Sequence, residues 1–550
     1  MAASHFTRLT KIFRPDREHG IASATMLMMS AVFLSSVTGF LRSSYIAWRF
    51  GAGMETDAYI AAFTLPDLLN YLAAGGAVSI TFITLLTRGR AENKEAEVEK
   101  AFHVVLTVMS LVLIVFIVAA MWFAPEVVGH WFPKFSDEKL HLCVHLTRIL
   151  LPAQLFFYVG GVVSAVQFSQ RKFLIPAFAP LIYNVGIIAG GIFLSRFVGI
   201  DSLAYGALAG CILGPFLLNV FGAAKSGASF RLNFDVTHPM FKEWLRLTIP
   251  LMLGFTVVAV DEWIMRYFAS GNTGDISRIN YAKTLFRVPV AMLGQAAGQA
   301  SLPFFAQLFN SGNREDFSRK VSENIGSIAT LSILAMSWIL VVSTPLVRLI
   351  YERGAFKNGD SAFTASLFIL FSLSLIFWTT QNLYARAFYA MNNTFTPMFA
   401  GTLITLISVP LYMWLYRYFN PGNAGAIGLA IASDVAIAIH TLVLAFLLNK
   451  KRYVSFGHLP WRNLTLTALA SVIVLLAVLF VNSQFGLQVY PGEIYSTLHL
   501  VWVTASISLL WLAAVILFAN IFRLPIYVQL KRKLFNNSSA SDTPSTDVTS

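Results

Sequence analysis

Long apolar stretches separated by short polar connections run along almost the whole chain. A helix needs about 20 apolar residues to cross the hydrocarbon core of a bilayer, and we count fourteen such stretches. The predicted spans cover residues 21–48, 58–87, 102–124, 141–169, 177–196, 202–224, 244–268, 277–309, 321–344, 362–391, 397–418, 425–449, 463–482 and 498–519. The pattern therefore predicts an all-α polytopic membrane protein with about fourteen transmembrane helices.

The composition argues against a soluble protein of this length. Of the 550 residues, 56% are hydrophobic and 12% are charged, whereas an average globular chain has about 25% charged residues. The two cysteines, Cys143 and Cys211, lie in apolar stretches, so we expect neither a disulfide framework nor a structural zinc site. Because the sequence has no Walker A, GxSxG, HExxH or dinucleotide-binding motif, we expect no cofactor and no enzymatic activity.

The positive charges are unevenly divided between the two sides of the predicted membrane. Lys and Arg number 40 against 27 Asp and Glu, which gives a net charge of +13. Most of the basic residues precede the first span or lie in every second connection after it. The positive-inside rule then predicts that both termini are cytoplasmic. The net charge reflects topology in this interpretation, and no nucleic-acid partner is expected.

The chain also matches itself at a shift of 222 residues. This shift aligns Tyr59 with Tyr281 and Phe82 with Phe304, and a shift of 221 aligns Pro176 with Pro397. The implied unit has six helices, so two parallel repeats would form two lobes with a cleft between them near the midplane. The predicted organisation is a basic cytoplasmic N-terminus (1–20), an N-lobe with helices 1–6 (21–240), a C-lobe with helices 7–12 (241–452), helices 13–14 (453–522) and a disordered cytoplasmic tail (523–550).

Charged residues inside the predicted spans are the candidates for function, because each costs about 2.5–3.5 kcal/mol at a helix centre on insertion scales. We expect Arg42, Lys283 and Arg287 to face the central cleft as a cationic site for a phosphate or carboxylate group. The alternative is that each pairs with a nearby acid or reaches an interface. Asp57 is open to a ligand-facing role or a role at a helix N-terminus.

Further acidic residues in the spans have a weaker claim to function. Glu262 and Arg266 are four residues apart on one helix face, which favours a structural pair. Asp261 and Asp434 are candidates for coupling transport to a cation, a role that buried acids take in transporters. The ten histidines show no metal-ligand spacing, so no metal site is predicted.

Four separated segments stand in an order that is typical of one transporter family. They are GFLRSSYIAWRFGAGMETDAYIAAFTLPDLL, LPFFAQL, IYERGAFKNGD and RAFYAMNNTFTP. Together they resemble the lipid II flippase family MurJ/MviN, a branch of the multidrug/oligosaccharidyl-lipid/polysaccharide exporter superfamily. The resemblance runs from about residue 20 to residue 450 and implies a fold of fourteen helices.

The resemblance implies a substrate and a location. It implies a flippase in the bacterial inner membrane that moves undecaprenyl-diphosphate-linked lipid II to the outer leaflet by alternating access, for peptidoglycan synthesis and cell shape. The headgroup would lie in a cationic cavity and the lipid tail in a groove beside helices 13 and 14. Membrane lipid and this polyprenyl-diphosphate-linked sugar are then the expected partners, and cell-wall synthesis proteins stay open as others.

The residues of the implied cavity match the family unevenly. Arg42 matches its cavity arginine and Asp57 its acid, whereas Asn70 and Thr284 stand where the family has arginines. Further differences are Ser36, Ser43 and Gly75, and the positive charges Lys283 and Arg287 are new. Two alternatives therefore stay open beside a lipid II flippase: an exporter of another lipid-linked oligosaccharide or an amphiphilic drug, and a paralogue that does not transport.

Overall fold

The computed structural model describes residues 21–71, 81–83, 85–86, 88, 92–258, 260–484, 489, 493 and 495–521. Every regular element in these ranges is a helix. The predicted basic N-terminus (1–20) and the predicted tail (523–550) lie outside the described residues.

The α-helices are numbered here in chain order. They are α1 (Ile21–Phe50), α2 (Met54–Ala62), α3 (Thr64–Leu69), α4 (Glu95–Trp122), α5 (Ala124–Trp131), α6 (Asp137–Leu150), α7 (Ala153–Ser169), α8 (Leu174–Val198), α9 (Asp201–Cys211), α10 (Asn219–Lys225), α11 (Pro239–Val258), α12 (Val260–Ala269), α13 (Asp275–Pro289), α14 (Ala296–Asn310), α15 (Arg314–Tyr351), α16 (Asn358–Leu373), α17 (Leu375–Ala390), α18 (Phe395–Phe419), α19 (Gly425–Lys450), α20 (Trp461–Gln484) and α21 (Thr497–Ile521).

These helices confirm the predicted all-α polytopic fold. Within the described ranges, nine helical segments are long and apolar enough to cross a membrane, and α16 with α17, bent by 43° relative to each other, make a tenth. The other four predicted spans fall on α1, α2–α3, α11–α12 and α13–α14. Since those four do not meet the same criterion, the count of fourteen stays a prediction.

Two of these four spans contain a π-helical turn, and a third such turn covers Ile212–Leu218 in the predicted span 202–224. Of the first two turns, one begins at residue 70, directly after α3, and the other covers Val290–Gln295 between α13 and α14. Residue 292 is the counterpart of residue 70 under the shift of 222. Pro289 stands just before the second turn, where its missing N–H and its ring disfavour a regular α-helix. The turn at Ile212–Leu218 falls on a regular α-helix, α19, under the same shift, so the repeat stays a prediction.

The chain forms two compact units. The first contains Met1–Arg278 and Arg353–Phe356, and the second contains Ile279–Glu352 and Lys357–Ser550. The core of the first unit surrounds the fully buried Trp244, and Tyr158 in this core donates its hydroxyl hydrogen to the Val105 carbonyl oxygen at 2.8 Å. The predicted lobes of the sequence repeat, with their boundaries, stay predictions.

Helices α8 and α9 of the first unit approach each other through glycines. A Cβ atom at Gly186 would lie 2.4 Å from the Gly210 Cα atom, and one at Gly190 would lie 2.5 Å from the Gly206 Cα atom. Both distances are far below van der Waals contact, so the two backbones touch directly. This small-residue packing is typical of helix pairs in membranes, and it fixes α8 against its neighbour.

In the second unit, α15 carries the last two helices. The Trp338 indole on α15 donates to the Ser508 Oγ atom on α21 at 3.0 Å, and the Trp511 indole on α21 donates to the Ser337 Oγ atom on α15 at the same distance. A small apolar core that includes Val341 of α15 packs beside these reciprocal bonds. Helix α21 is therefore anchored to α15 by both polar and apolar contacts, and α20 contributes Val474 and Val478 to the same apolar core.

Candidate functional site

Arg42 lies in the second half of α1 and is partly exposed. Its Nη1 atom donates to the Asn184 Oδ1 atom of α8 at 2.9 Å. In the described part of the chain Arg42 forms no ion pair with an acidic side chain. A guanidinium has five N–H donors, so an arginine held by one neutral amide keeps both its charge and most of its donors for an anionic group.

Asp57 is placed in a fully buried polar cluster, which we call the Asp57 cluster. It consists of Asp57 in the first turn of α2, Lys139 in α6, and Gly274 and Ser277 at the start of α13. The Lys139 Nζ atom lies 2.9 Å from Asp57 Oδ2, and the exposed fractions of the two side chains are 4% and 0%. Asp57 also accepts hydrogen bonds from the Gly274 N–H at 2.6 Å, from the Ser277 N–H at 2.8 Å and from the Ser277 hydroxyl.

The local backbone explains how these donors reach one carboxylate. Gly274 has φ +89°, a conformation that side chains with a Cβ atom rarely adopt, and its Cβ would also lie 3.0 Å from the Ala52 carbonyl oxygen. The glycine lets the connection between α12 and α13 turn so that its own N–H and the first turn of α13 face Asp57. The positive end of the α13 dipole adds to the stabilisation of this carboxylate.

A second buried carboxylate stands next to the Asp57 cluster. Asp275 is fully buried at the start of α13, before the predicted span 277–309, and accepts a hydrogen bond from the Asn272 amide at 3.0 Å. Arg278 lies 3.3 Å from it. Burial raises the pKa of Asp275 to about 6, because these two partners only partly offset the loss of hydration and Asp57 lies nearby. Asp275 therefore keeps its proton to a higher pH than an ordinary aspartate.

Asn70 is bound by another amide. Its Nδ2 atom donates to the Gln154 Oε1 atom of α7 at 2.9 Å, directly after α3. Both side chains are neutral, so this position supplies hydrogen-bonding capacity without charge. A bound amide can recognise hydroxyl or amide groups, whereas an arginine there would recognise phosphate.

The predicted pair of Glu262 and Arg266 belongs to a small network. The Arg266 Nη2 atom lies 3.7 Å from Glu262, and its Nη1 atom lies 3.5 Å from Asp67 and 3.1 Å from the Thr64 hydroxyl of α3. Arg266 thus links α12 to α3 with two acids beside it. Asp261 is half-buried on the same helix.

The remaining predicted site residues lie in the second unit. Lys283 of α13 is half-buried with its Nζ atom 5.7 Å from the centre of the Phe371 ring, within cation–π range. Arg287 stands one turn later on the same helix and is exposed. Asp434 is half-buried in the middle of α19. The expectation that Lys283 and Arg287 converge with Arg42 on one cavity stays a prediction.

Sequence reasoning missed Lys139, which lies just before the predicted span 141–169 and counts there only as one of the basic residues on which the topology prediction rests. The sequence carries no direct signal for it, because a lysine just before a predicted span indicates topology until its burial is known. The partner could not be read from the sequence, because Asp57 lies 82 residues away. The same holds for Ser277, whose separation from Asp57 is 220 residues.

Comparison with known proteins gives one consistent result. The family model described as lipid II flippase MurJ matches residues 46–517. The chain is 25% identical over 489 residues to a probable lipid II flippase MurJ of Buchnera aphidicola subsp. Baizongia pistaciae, which covers 86% of this chain and 92% of that protein. It is 28% identical over 444 residues to the lipid II flippase MurJ of Burkholderia cenocepacia, covering 78% and 84%.

Solved structures agree with the sequence comparisons. A lipid II flippase MurJ in an inward closed conformation superposes with a TM-score of 0.74 at 25% identity, over 90% of this chain and 99% of that one. An inward-facing transporter of the multidrug resistance MATE family superposes with a TM-score of 0.63 at 13% identity, over 78% of this chain. The second likeness shows that the fold is shared with this wider group of transporters.

Proposed function

Because the chain belongs to the lipid II flippase MurJ family, we propose that it moves lipid II, an undecaprenyl-diphosphate-linked sugar peptide, from the inner to the outer leaflet by alternating access. The chain is a multi-pass membrane protein of this transporter family. We place it in the bacterial inner membrane with both termini in the cytoplasm and without enzymatic activity. The observation that carries the proposal is the partly exposed guanidinium of Arg42, which lies within a predicted span and has no acidic partner in the described ranges.

The charge of the substrate explains what such a residue would do. A diphosphate cannot cross hydrocarbon without compensation, because an uncompensated ion there costs many kcal/mol. Arginine binds phosphate oxygens through two parallel N–H donors. We assign the diphosphate to Arg42, with Lys283 and Arg287 as the other cations of the site. Asn70, bound to Gln154, would contact the uncharged part of the headgroup.

Asp57 has a different part in this proposal. Its oxygens are fully engaged by Lys139, Gly274 and Ser277, so it serves as the fixed point that holds α2, α6 and the start of α13 together at one end of the helices. A transport cycle that moves α13 relative to α2 must break these bonds. Asp261 and Asp434 remain the proposed candidates for coupling to a cation.

The test uses the full chain reconstituted in vesicles. Lipid II movement is followed by its accessibility to a reagent outside the vesicles, and co-purified lipids are identified by mass spectrometry. We expect transport by the unaltered chain and at least a tenfold loss in Arg42→Gln. Arg319→Gln is the matched control, because Arg319 is an exposed surface arginine paired with Asp316, and we expect no effect from it.

Two outcomes would replace the proposal. If the unaltered chain moves no lipid II and co-purifies with no polyprenyl diphosphate, but exports amphiphilic drugs or another lipid-linked sugar, the neutral pair of Asn70 and Gln154 marks a changed specificity. If deletion of the gene alters the cell wall while Arg42→Gln and Arg287→Gln do not, the chain acts without transporting.

A further inference from the structure

Asn184 is the residue that determines where the Arg42 guanidinium points. It lies on α8 and is 8% exposed. Its Oδ1 atom accepts from Arg42 Nη1 at 2.9 Å, while its Nδ2 atom donates to the Ser35 carbonyl oxygen at 3.3 Å. Because the amide uses its acceptor on Arg42 and its donor on Ser35, the orientation of the amide group is defined by its partners.

The two partners lie on one face of α1. Ser35 and Arg42 are seven residues apart, which is two helical turns. Asn184 therefore spans two turns of α1 and ties the guanidinium to the backbone of its own helix. Ser43, next to Arg42, is turned inward and donates to the Gly39 carbonyl oxygen at 3.2 Å, so it does not compete for the guanidinium.

The helix that carries Asn184 is held on two sides. Toward α9 it is held by the glycine contacts at Gly186 and Gly190. Toward α1, a Cβ atom at Gly191 would lie 2.4 Å from the Tyr45 ring, so no larger residue fits there without a shift. Gly191 lies seven residues after Asn184 and hence on the same face of α8. The amide is thus mounted on a rigid part of the unit.

We propose that Asn184 is a positioning residue that presents Arg42 to the anionic group of the substrate without neutralising it. An arginine side chain has many rotamers, and fixing it beforehand lowers the entropic cost of binding. A carboxylate at position 184 would orient Arg42 equally well but would cancel its charge. A carboxamide gives the orientation alone. This inference rests on the proposed function, since it requires that Arg42 binds the substrate.

The test is a double-mutant cycle on the purified full chain, with undecaprenyl diphosphate as the probe and its dissociation constant as the readout. We expect Asn184→Ala to weaken binding about tenfold, the effect of losing one hydrogen bond to a charged group. In an Arg42→Gln background the same substitution should change binding less than about twofold, because Asn184 acts through Arg42. Equal weakening in both backgrounds would mean a general structural role and would overturn the proposal.

Asn184→Asp supplies a second readout that a structural role would not move. The new carboxylate should pair with Arg42 and weaken binding more than alanine does at pH 7.5. Binding by Asn184→Asp that is no weaker than binding by Asn184→Ala would contradict the proposal.

Failure of this inference can be told apart from failure of the proposed function. If the unaltered chain does not bind undecaprenyl diphosphate, the proposed function fails and the inference fails with it. If the unaltered chain binds but Arg42→Gln binds equally well, the assignment of the diphosphate to Arg42 fails and the inference about Asn184 fails with it, while the transport assay still tests whether the chain moves lipid II.

Discussion

Removal of Lys139 from the Asp57 cluster gives the sharpest test of the structure. Lys139→Met keeps the length of the side chain and its apolar stem, but it leaves the fully buried Asp57 carboxylate without its cation. Three hydrogen bonds from Gly274 and Ser277 remain. Breaking a buried ion pair on one side costs about 3–5 kcal/mol, and the remaining donors favour the lower end, about 3 kcal/mol.

The chain contains its own reporter for this loss. Cys143 follows Lys139 by one turn of α6 and is fully buried, and Cys211 is the only other cysteine. In a Cys211→Ala background, a thiol-reactive dye labels Cys143 only when the region opens. A loss of about 3 kcal/mol in the free energy of opening should raise the labelling rate about a hundredfold, at about 1.4 kcal/mol per factor of ten.

The control is an ion pair of the same length whose two side chains are exposed to solvent. Lys320 pairs with Glu323 at 2.9 Å, the same distance as in the buried pair, but the two side chains are about half exposed. Exposed pairs contribute about 0–1 kcal/mol, so Lys320→Met should leave the labelling rate within about fivefold. Asp57→Asn combined with Lys139→Met should lose less than the two single changes together, because neither charge is then left alone. Equal labelling rates in Lys139→Met and Lys320→Met would refute the assignment of this cluster as a stabilising contact.

Three further predictions concern other parts of the chain. The raised pKa of Asp275 means that the folded protein keeps a proton between about pH 4 and pH 6 that the unfolded chain has released. Stability should therefore fall by at most about 3 kcal/mol as the pH rises from about 4 through 6. In Asp275→Asn the thermal midpoint should depend less on pH over this range, and an unchanged dependence would contradict the prediction. Gly190→Ala places a methyl group 2.5 Å from a backbone Cα atom of α9 and should destabilise by about 1–3 kcal/mol, measured by thermal unfolding against the open position Gly359→Ala. Trp511→Phe removes the donor to Ser337 and should cost about 0.5–1.5 kcal/mol in the same assay, while no loss would show that this bond is unimportant.

The helical fold could be predicted because the hydropathy of each span is local information. The partners of individual charges could not, because they depend on packing between distant segments. Arg42 was recognised as a candidate from its place inside an apolar stretch, but its partner Asn184 stands 142 residues away and its sequence context is unremarkable. Lys139, in contrast, could not be recognised as a candidate, since a lysine near the end of a span indicates only membrane topology until its burial is known.

The bonds between α15 and α21 bear on how the protein can be shortened. A chain cut after residue 452 would end where the second predicted repeat ends, and it would keep both predicted six-helix repeats. It would also strip the partners from Trp338 and Ser337 and uncover the apolar surface around Val341. The last two helices are thus built into the second unit, and a minimal functional version of this transporter should retain them.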